Sequence, residues 1–377
     1  MVTGKGGGGR VPSASPGASD EALMALALEL AARGRGSTSP NPMVGAVLWN
    51  AGRIVGRGYH VRAGAPHAEV VAIEEAGPAA RGATLYCTLE PCCHTGRTPP
   101  CADRIVEAGV RRVVVGVRDP DPRVDGGGVR RLRAHGVEVG VGVAAERAAR
   151  LNEAFFTVKR RGRPFVTLKA AASLDGRIAA APGRRTGLSG PRSQDHAHEV
   201  RAVVDAVGVG SGTVLVDDPL LTARGPARRR PFVRVIFDTR MRTPPDARVL
   251  TTLSHGPVVV VTTDAAAAAW PARAAALEAG GAPLERLPAR DPAAAAARLV
   301  AHDVSDLLIE GGAELHRAAW KAGIVDRVRL YLCPVTLGRA GVPWMPDARF
   351  SLAALGPVRT RCLGADVLLE ADVQRLD

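Results

Sequence analysis

The sequence predicts an α/β protein with two domains, and three observations support this prediction. The chain has 377 residues, more than one typical domain, and 46% of them are hydrophobic, which is enough for two cores. Short apolar runs of strand length, such as residues 112–117 and 258–263, are separated by stretches with helical periodicity. A basic stretch at residues 159–164 ends in proline and divides the two series. We therefore expect one domain over residues 20–160 and another over residues 164–377.

The N-terminal segment is expected to be a disordered leader. Residues 1–19 are rich in Gly, Ser and Pro, lack hydrophobic periodicity, and contain no apolar stretch of the kind found in secretory signals. Ser19 or Asp20 can then cap a first helix, whose leucines recur at helical spacing. This helix should end at Arg33 and Gly34.

Strands are expected in the first domain where apolar residues alternate or run together between turns. Asn41, between two prolines, is held extended before the first strand. Its amide can either pair with the edge of a bound heterocycle or close a local turn. A hairpin is predicted from residues 43–48 and 53–60, with further strands at residues 83–89, 112–117 and 136–143 and a helix at residues 144–156.

The most informative stretch is HAEVVAIEEAGPAARGATLYCTLEPCCHTGRTPPC, from His67 to Cys101. A catalytic zinc ion needs three protein ligands and an open position for water, and His67, Cys92 and Cys101 would supply the three. Zinc lowers the pKa of a bound water toward neutrality, and Glu69 would stay free to move its proton. This chemistry suits hydrolytic deamination of an amidine-like carbon in a heterocycle.

The same stretch matches most of a known signature. Zinc deaminases carry H-x-E and P-C-x-x-C, with the glutamate outside the metal shell. His67 and Glu69 match the first part, and a proline precedes Cys92, but the next ligand comes nine residues later at Cys101. Residues two apart on an ideal helix point about 200° away from each other. His67 and Glu69 can therefore converge only at the start of a helix, with which Pro66 is consistent.

Other interpretations of the cysteines remain open. Cys92 and Cys101 alone could form a structural zinc site or a disulfide bond, and Cys93 could replace Cys92 as a ligand. Cys87 alternates within its predicted strand and should belong to the core. Four of the six cysteines lie between Cys87 and Cys101, which suits a metal site in a reducing compartment. We therefore expect a cytoplasmic protein.

The net charge of +13 comes almost entirely from arginine, since lysine occurs only at Lys5, Lys159, Lys169 and Lys321. Such a bias can reflect a solvated surface, or arginines that bind a phosphorylated small molecule. Aromatic residues make up 3% of the chain, so we expect no stacking surface for nucleic acid. No apolar run approaches the roughly twenty residues that span a membrane. Enzymes of this size are often symmetric, so we expect a homo-oligomer.

The second domain contains two candidate features. Lys169 lies in a predicted strand of a chain that otherwise uses arginine, which favours either a role for a compact ammonium group or a surface lysine. Another predicted strand ends at Glu310, followed by a glycine pair and a helix start. Backbone amides at such a start can cradle a phosphate, and Glu310 could orient a sugar hydroxyl. The alternative is a plain tight turn, and the GxG pieces at residues 208–212 lack the third glycine of a dinucleotide fingerprint.

Seven motifs occur in one order along the chain: PNPMVGAV, GYHVRAGAPHAEV, TLEPCCHTGRTPPC, DPDPRV, LKAAASLDGRIA, VGSGTVLVDDPLLT and IEGG. Over residues 20–377 the chain thereby resembles the bifunctional riboflavin-biosynthesis deaminase/reductases. The resemblance implies an N-terminal cytidine-deaminase-like domain and a C-terminal dihydrofolate-reductase-like domain. It also implies two successive reactions. The first is zinc-dependent deamination of 2,5-diamino-6-ribosylamino-4(3H)-pyrimidinone 5′-phosphate, and the second is reduction of the ribosyl group to ribityl by NADPH.

The resemblance also implies roles for residues at matching motif positions. His67, Cys92 and Cys101 become the zinc ligands and Glu69 becomes the proton shuttle. Asn41 and Lys169 are candidates for substrate binding because of their own positions and chemistry. Asp217 and Lys169 are candidates for the general acid of the reduction. The implied NADPH contacts are Ala171, Gly187, Thr213, Asp217, Thr239, Gly312, Ala313, Glu314 and Leu315, and the implied substrate contacts are Arg185, Arg201, Leu221, Arg224 and Glu310.

The sequence departs from the family pattern at four places. Gly187 replaces a tryptophan, Arg185 and Cys93 each replace a serine, and Asp125 replaces a small residue. Loss of the tryptophan would weaken cofactor binding by about 1–3 kcal/mol if base stacking is the guide. One alternative is therefore an active deaminase joined to an altered reductase. Two further alternatives are a nucleic-acid adenosine or cytidine deaminase, and a binding protein in which zinc only fixes the fold.

Overall fold

The computed structural model describes residues 18–95, 99–223, 231–345 and 354–374. The chain divides into two compact units between Glu153 and Ala154. Nearly all of the predicted leader lies outside the described residues. Within the described ranges, no helix combines the length and the apolar character needed to cross a membrane.

The first unit is built on a five-stranded mixed sheet with the strand order β2-β1-β3-β4-β5. Strands β3, β4 and β5 are parallel, while β1 pairs with β2 and β3 in antiparallel fashion. The strands are β1 (Gly45–Asn50), β2 (Arg53–Tyr59), β3 (Thr84–Leu89), β4 (Arg112–Val117) and β5 (Glu138–Val141), and the helices are α1 (Asp20–Ala32), α2 (Ala68–Ala76), α3 (Cys101–Glu107), α4 (Gly127–Ala134) and α5 (Ala145–Leu151).

Both faces of this sheet are covered because its strands are apolar at successive positions. Leu85 and Cys87 of β3 face a core that includes residues of α2, α3 and α4. Tyr86, between them, faces the opposite way onto α1 and α5, as the two-residue period of a strand requires. The predicted core position of Cys87 is confirmed, since its side chain is fully buried.

The helix predicted at residues 144–156 is wrong in one respect, because two helices occupy this region. Helix α5 stops at Leu151, and α6 (Glu153–Arg161) begins after Asn152. The Asn152 side chain accepts a hydrogen bond from the Met43 backbone amide (2.7 Å) and donates one to the Met43 carbonyl (2.9 Å). The break between α5 and α6 therefore falls where the Asn152 side chain is held by a distant backbone segment, an interaction that hydrophobic periodicity does not predict. The predicted linker at residues 159–164 therefore begins inside a helix.

The second unit contains a nine-stranded sheet with the order β11-β10-β9-β8-β12-β6-β13-β16-β15. The first seven strands in this order are parallel, and β16 is antiparallel to both of its neighbours. The nine strands are β6 (Phe165–Ser173), β8 (Ala206–Gly210), β9 (Val233–Phe237), β10 (Val258–Thr263), β11 (Leu284–Leu287), β12 (Asp306–Gly311), β13 (Arg327–Cys333), β15 (Arg359–Leu363) and β16 (Asp366–Asp372). Strands β7 (Arg177–Ala179) and β14 (Val342–Pro343) form a separate two-stranded antiparallel sheet.

Helices cover this sheet over two buried clusters, one on each face. Val207 and Val209 of β8 belong to one cluster, whereas Ala206 belongs to the other. Strands buried on both faces read as continuous apolar runs, which is why β8 and β10 are visible in the sequence. The helices are α7 (Pro191–Arg201), α8 (Ser211–Asp217), α9 (Asp264–Ala269), α10 (Pro271–Ala279), α11 (Pro292–Arg298) and α12 (Ala313–Lys321).

Close packing of α2 on β2 fixes where the first site can form. A β-carbon added at Gly58 would lie 2.1 Å from the carbonyl oxygen of Ala68, so α2 approaches the strand closer than any side chain permits. We expect Gly58→Ala to displace the start of α2 and to lower the free energy of unfolding by about 1–3 kcal/mol, the usual cost of overpacking. Denaturant titration of the whole protein measures this change.

Gly140→Ala in β5 is the matched control. A β-carbon at Gly140 would meet no atom within 4 Å, so its effect should stay within about 0.5 kcal/mol. Equal unfolding midpoints for the two variants would contradict the proposed backbone contact.

Candidate functional site

Three side chains converge in the first unit where a strand ends and two helices begin. His67 caps the N-terminus of α2, Cys92 follows β3, and Cys101 is the first residue of α3. His67 Nδ1 lies 3.1 Å from Cys101 Sγ and 3.7 Å from Cys92 Sγ. All three ligand atoms lie within 4.8 Å of one another. The structure thus brings together the three residues predicted to bind zinc.

The chemistry and spacing of these atoms suit a zinc ion. Tetrahedral zinc with bonds of about 2.0–2.3 Å holds its ligand atoms roughly 3.3–3.8 Å apart, close to the distances observed. Cys93 points elsewhere, since its sulfur contacts the Arg123 carbonyl oxygen at 3.6 Å. Of the two adjacent cysteines, Cys92 is therefore the one placed in the cluster.

Hydrogen bonds in the cluster favour a thiolate. The Cys101 backbone amide donates to Cys92 Sγ at 3.3 Å. The hydrogen bond from the Cys101 thiol, with a smaller contribution from His67, lowers the pKa of the Cys92 thiol to about 4 although burial opposes this. The hydrogen bond with Cys92 raises the pKa of His67. A bound cation is the group that would let both sulfurs ionise.

Glu69 lies beside the cluster with one unpaired oxygen. Its side chain is 3% exposed, and Oε2 has no hydrogen-bond partner among the described residues. Burial raises the pKa of this carboxyl to about 7, although His67 opposes the change. The His67 backbone is extended (φ −73°, ψ 158°) because it is the cap of α2. This conformation removes the angular conflict expected for two residues within an ideal helix.

His60 is part of the same site and is not evident from sequence. It is buried, its ring lies edge-on to His67 with centroids 5.5 Å apart, and its Nδ1 contacts the Pro66 carbonyl oxygen at 3.1 Å. A carbonyl can only accept, so Nδ1 carries the proton and Nε2 accepts from the Asn41 amide at 3.1 Å. Asn41, predicted to meet a heterocycle, is thus fixed by a histidine next to the cluster.

The second unit contains a cavity of about 780 Å³ at the carboxyl ends of its parallel strands. Ligands of open parallel sheets bind in this position. Arg201 and Leu221 lie outside its wall, and Arg224 lies outside the described residues. The predicted residues that line the cavity are Lys169, Ala171, Arg185, Gly187, Thr213, Asp217, Thr239, Glu310, Gly312, Ala313, Glu314 and Leu315.

A buried charge group forms one end of this cavity. Arg201 donates from Nε to Glu310 Oε1 at 2.7 Å, a second nitrogen pairs with Oε2, and Nη1 donates to the Thr222 carbonyl at 2.9 Å. Burial alone would raise the pKa of Glu310, but Arg201 and Lys169 together hold it below its ordinary value. Arg201 therefore contributes to the cavity through Glu310.

Lys169 is a cavity residue and not a lysine of the outer surface. Its Nζ lies 5.4 Å from the centre of the Tyr331 ring. Burial lowers the pKa of this ammonium group, and Glu310 only partly opposes the change. A lysine with a lowered pKa can release a proton more readily than one in water.

Two glycines follow Glu310 on the cavity wall. A β-carbon at Gly311 would lie 2.9 Å from Thr213 Oγ1, and Gly312, which precedes α12, has φ 91°. Gly311 is therefore required by the close approach of Thr213 and Gly312 by its backbone conformation, and the backbone amides that begin α12 suit a phosphate ligand. A β-carbon at Gly187 would meet nothing within 4 Å, which leaves this part of the wall without a stacking surface.

Two further buried groups of this unit, of which only His316 lines the cavity, are absent from the sequence prediction. The buried His316 accepts a hydrogen bond at Nδ1 from the Trp344 indole (2.8 Å), and its Nε2 contacts the Ile309 carbonyl at 3.2 Å. Burial lowers the pKa of His316 to about 4, so the ring stays neutral. Arg234, fully buried, binds carbonyl oxygens of Leu220 and Gly256. These partners are remote in sequence, so no local motif indicates them.

Comparisons with known proteins match each of the two units to a domain family. Residues 18–117 match the cytidine and deoxycytidylate deaminase zinc-binding region, and residues 164–369 match the RibD C-terminal domain. The chain is 42% identical over 319 residues to the riboflavin biosynthesis protein RibD of Aquifex aeolicus, which covers 85% of this chain and 88% of that protein. It is 40% identical over 331 residues to the Escherichia coli protein of the same name, with coverage of 85% and 89%.

Solved structures give the same result. Acinetobacter baumannii RibD superimposes with a TM-score of 0.85 at 35% identity, covering 94% of this chain and 99% of that one. A diaminohydroxyphosphoribosylaminopyrimidine deaminase/5-amino-6-(5-phosphoribosylamino)uracil reductase from Thermotoga maritima superimposes with a TM-score of 0.81 at 35% identity and the same coverage. The similarity thus spans both units.

The geometry predicts different zinc contents for substitutions of the two adjacent cysteines. We expect Cys92→Ser to lose stoichiometric zinc, because it removes one of three clustered ligand atoms. Cys93→Ser, the matched control, should keep zinc at the wild-type level, since the Cys93 sulfur faces the Arg123 carbonyl. Elemental analysis of the purified variants measures both. Zinc loss in Cys93→Ser with retention in Cys92→Ser would reverse the assignment.

Proposed function

Because the chain belongs to the RibD family of bifunctional riboflavin-biosynthesis deaminase/reductases, we propose that its two units act in turn on one phosphorylated ribosylaminopyrimidine. The family matches confirm the predicted cytidine-deaminase-like and dihydrofolate-reductase-like domains. The first unit deaminates 2,5-diamino-6-ribosylamino-4(3H)-pyrimidinone 5′-phosphate. The second reduces the resulting 5-amino-6-(5-phosphoribosylamino)uracil to the ribitylamino compound with NADPH.

One observation carries the deaminase assignment: a buried carboxylate oxygen without a partner lies beside three metal-binding atoms. If zinc is held by His67, Cys92 and Cys101, it would lower the pKa of a bound water toward neutrality. Glu69 would accept a proton from the attacking water and deliver it to a ring nitrogen as the water oxygen adds to the amine-bearing carbon. Glu69 would then pass the remaining proton of the added hydroxyl to the departing amine, which leaves as ammonia. A carboxyl whose pKa is raised toward 7 by burial can serve in both directions.

Asn41 and His60 support substrate binding in this unit. The Asn41 amide donates to His60 with one hydrogen, which leaves its oxygen and second hydrogen for a pyrimidine edge. The His60 ring lies edge-on to His67, so a base held by Asn41 lies near the metal-binding atoms. We therefore assign Asn41 to recognition of the ring and His60 to positioning of Asn41.

The second unit supplies binding and a proton for the reduction. When bound, NADPH would supply a hydride to the sugar carbon that bears the amine. The bond from that carbon to the ribose ring oxygen would break, and this oxygen would need a proton to become a hydroxyl. Lys169 is the proton donor, since it is a cation in the cavity next to Glu310 and its pKa is lowered by burial. Glu310, held by Arg201, contacts sugar hydroxyls. Asp217, the other candidate acid, also lines the cavity, and burial raises the pKa of its carboxyl although Arg185 opposes the change. Lys169 is preferred because it lies on the strand beside that of Glu310.

Arg185, Leu221 and Arg224 are assigned to the substrate on the family pattern. Leu221 has φ 51° and a buried side chain, so it fixes a tight turn beside the Thr222 carbonyl that Arg201 binds. Ala171, Thr213, Thr239 and the Gly312–Leu315 turn are assigned to NADPH. Gly187 leaves the wall open where the family has tryptophan, which favours weaker cofactor binding and not an inactive domain.

The remaining expectations stay predictions. Thiols that bind zinc must be reduced, which favours action in the cytoplasm, and a homo-oligomer is expected from size alone. A nucleic-acid deaminase leaves the reductase match over residues 164–369 unexplained. A purely structural zinc leaves the buried unpaired oxygen of Glu69 unexplained.

The deaminase assignment is tested by Glu69→Gln. We expect ammonia release from the diaminopyrimidine substrate to fall by about 10²–10⁴-fold, the range for loss of a general acid–base group. Zinc content should remain at the wild-type level because Glu69 is not a ligand. Glu74→Gln, on an exposed position of the same helix, serves as the control and should deaminate normally. Undiminished ammonia release by a zinc-loaded Glu69→Gln protein would overturn the catalytic role.

The reductase assignment predicts a specific pH dependence, assayed as NADPH oxidation with the deaminated product. If Lys169 donates a proton, the rate should be highest below its pKa and fall as pH rises through a value below the roughly 10.4 of a free lysine, because burial lowers that pKa. Lys169→Arg stays protonated and should lose this alkaline decline. Lys169→Met should reduce the rate by about 10²–10⁴-fold and leave ammonia release unchanged.

Lys321→Met, at an exposed position, is the control for loss of a lysine. An alkaline decline that persists in Lys169→Arg would assign it to another group. NADPH oxidation without deaminated product, or none with it, would contradict the proposed reaction itself.

A further inference from the structure

We propose that Arg242, with Arg240 beside it, binds the 2′-phosphate that distinguishes NADPH from NADH. The inference rests on the proposed reductase function and names the residues that would determine its cofactor preference. Arg240 and Arg242 line the same cavity as Lys169 and Glu310. They lie in the segment that follows β9, after Thr239.

The position of this segment suits the adenosine end of the cofactor. Lys169 belongs to β6, and β12 and β8 separate β6 from β9 in the sheet. Three strand spacings of about 4.8 Å place the two ends of the cavity roughly 14 Å apart. A dinucleotide that presents its nicotinamide near Lys169 must extend across β12 and β8. Its far end, which carries the 2′-phosphate, then reaches the loop after β9.

The loop is fixed in place before any ligand binds. Asp238 is fully buried and accepts hydrogen bonds from the Thr243 backbone amide (2.6 Å) and hydroxyl (2.7 Å). Met241 is fully buried with φ 50°, and its carbonyl accepts a hydrogen bond from Arg273 at 2.5 Å. Asp238, Met241 and Thr243 thus anchor the backbone, and the exposed side chains of Arg240 and Arg242 lie between these anchors.

The charge of these arginines is available to a ligand. Over the described part of the chain, no carboxylate forms an ion pair with Arg240 or Arg242, and Arg242 donates only to the Ser211 hydroxyl at 3.2 Å. Arg201, outside the cavity wall, is already paired with Glu310. Arg185, which lines the cavity, interacts electrostatically with Asp217. A planar guanidinium without an acidic partner is suited to two parallel hydrogen bonds with a phosphate.

The composition of the wall supports a second anionic position separate from the pyrophosphate. The glycine turn before α12 offers backbone amides to a phosphate, but it provides no side-chain cation. Arg290, which follows β11, also lines the cavity, and β10 alone separates β11 from β9 in the sheet. The 2′-phosphate is a monoester with two negative charges. It therefore gains more from nearby arginines than the pyrophosphate does, because the pyrophosphate carries one charge on each phosphorus.

The test measures binding of cofactor fragments to the full-length protein. Adenosine 2′,5′-bisphosphate and adenosine 5′-monophosphate differ only by the 2′-phosphate. We expect Arg242→Gln to weaken the bisphosphate by about tenfold or more, the effect of one charge-assisted hydrogen-bonding group, and to change the monophosphate less than about twofold. Calorimetric titration of the wild type and the variant gives both constants.

Arg248→Gln is the charge-matched control, because Arg248 is exposed a few residues later and does not line the cavity. It should bind both fragments as the wild type does. Equal weakening of both fragments in Arg242→Gln would place Arg242 on the 5′-phosphate and overturn the proposal, as would no weakening of either.

Steady-state rates separate this proposal from the reductase function. In Arg242→Gln the KM for NADPH should rise about tenfold, the KM for NADH should stay constant, and ammonia release should be unaffected. A wild-type protein that oxidises NADPH and NADH with equal efficiency would refute the role of Arg242 and leave the reductase intact. A wild-type protein that oxidises neither would refute the reductase function itself.

Discussion

Burial of a carboxylate at the end of a sheet is the constraint on which both sites depend. A buried ionised carboxylate requires a cation, or it takes up a proton. Glu310 has its cations within the protein, since Arg201 and Lys169 hold its pKa low. Glu69 forms no ion pair with the residues that the structure describes, and burial raises its pKa toward 7. The same residue type is therefore a fixed anion in one unit and a proton carrier in the other.

The environments of Glu69 and Glu310 differ because different structural elements position the side chains in each unit. In the first unit, the glycine contact of α2 on β2 brings His67 and Glu69 against the thiols that follow β3. The ligands come from two helix starts and a loop, so their positions depend on helix packing. In the second unit, Lys169 and Glu310 lie on neighbouring parallel strands, and their distance is fixed by the sheet itself. A metal site can form from helix starts and a loop because the ion draws its ligands together. An ammonium group that must be positioned without a metal needs the fixed spacing of neighbouring strands.

Much of this was predictable from sequence, and the failures have physical causes. Strands buried on both faces, such as β4 and β10, read as continuous apolar runs, and the zinc ligands occur in a recognisable spacing. Strands β13, β15 and β16 were not predicted, because charged residues alternate along them, as in Arg327 and Arg329, which pair with Asp372 and Glu370 across the sheet. His60 was missed because its partners, Asn41 and Pro66, come from separate segments. Asn152 was missed because its hydrogen bonds to Met43 span 109 residues.

The arginine content is another feature whose role composition alone does not identify. A net charge of +13 is compatible with a solvated surface, with phosphate binding, or with both, and composition does not separate them. In the structure, the presence or absence of an acidic partner distinguishes arginines that stabilise the fold from arginines that can bind a phosphate. Arg163, Arg201 and Arg327 are held by Asp326, Glu310 and Asp372 and stabilise the fold. Among the described residues, no carboxylate pairs with Arg240 or Arg242 in this way, and a buried aspartate holds their loop at a cavity that is large enough for a dinucleotide. An arginine that the fold positions but does not neutralise is the one available to a phosphate, so cofactor preference is encoded in unpaired charge and not in total charge.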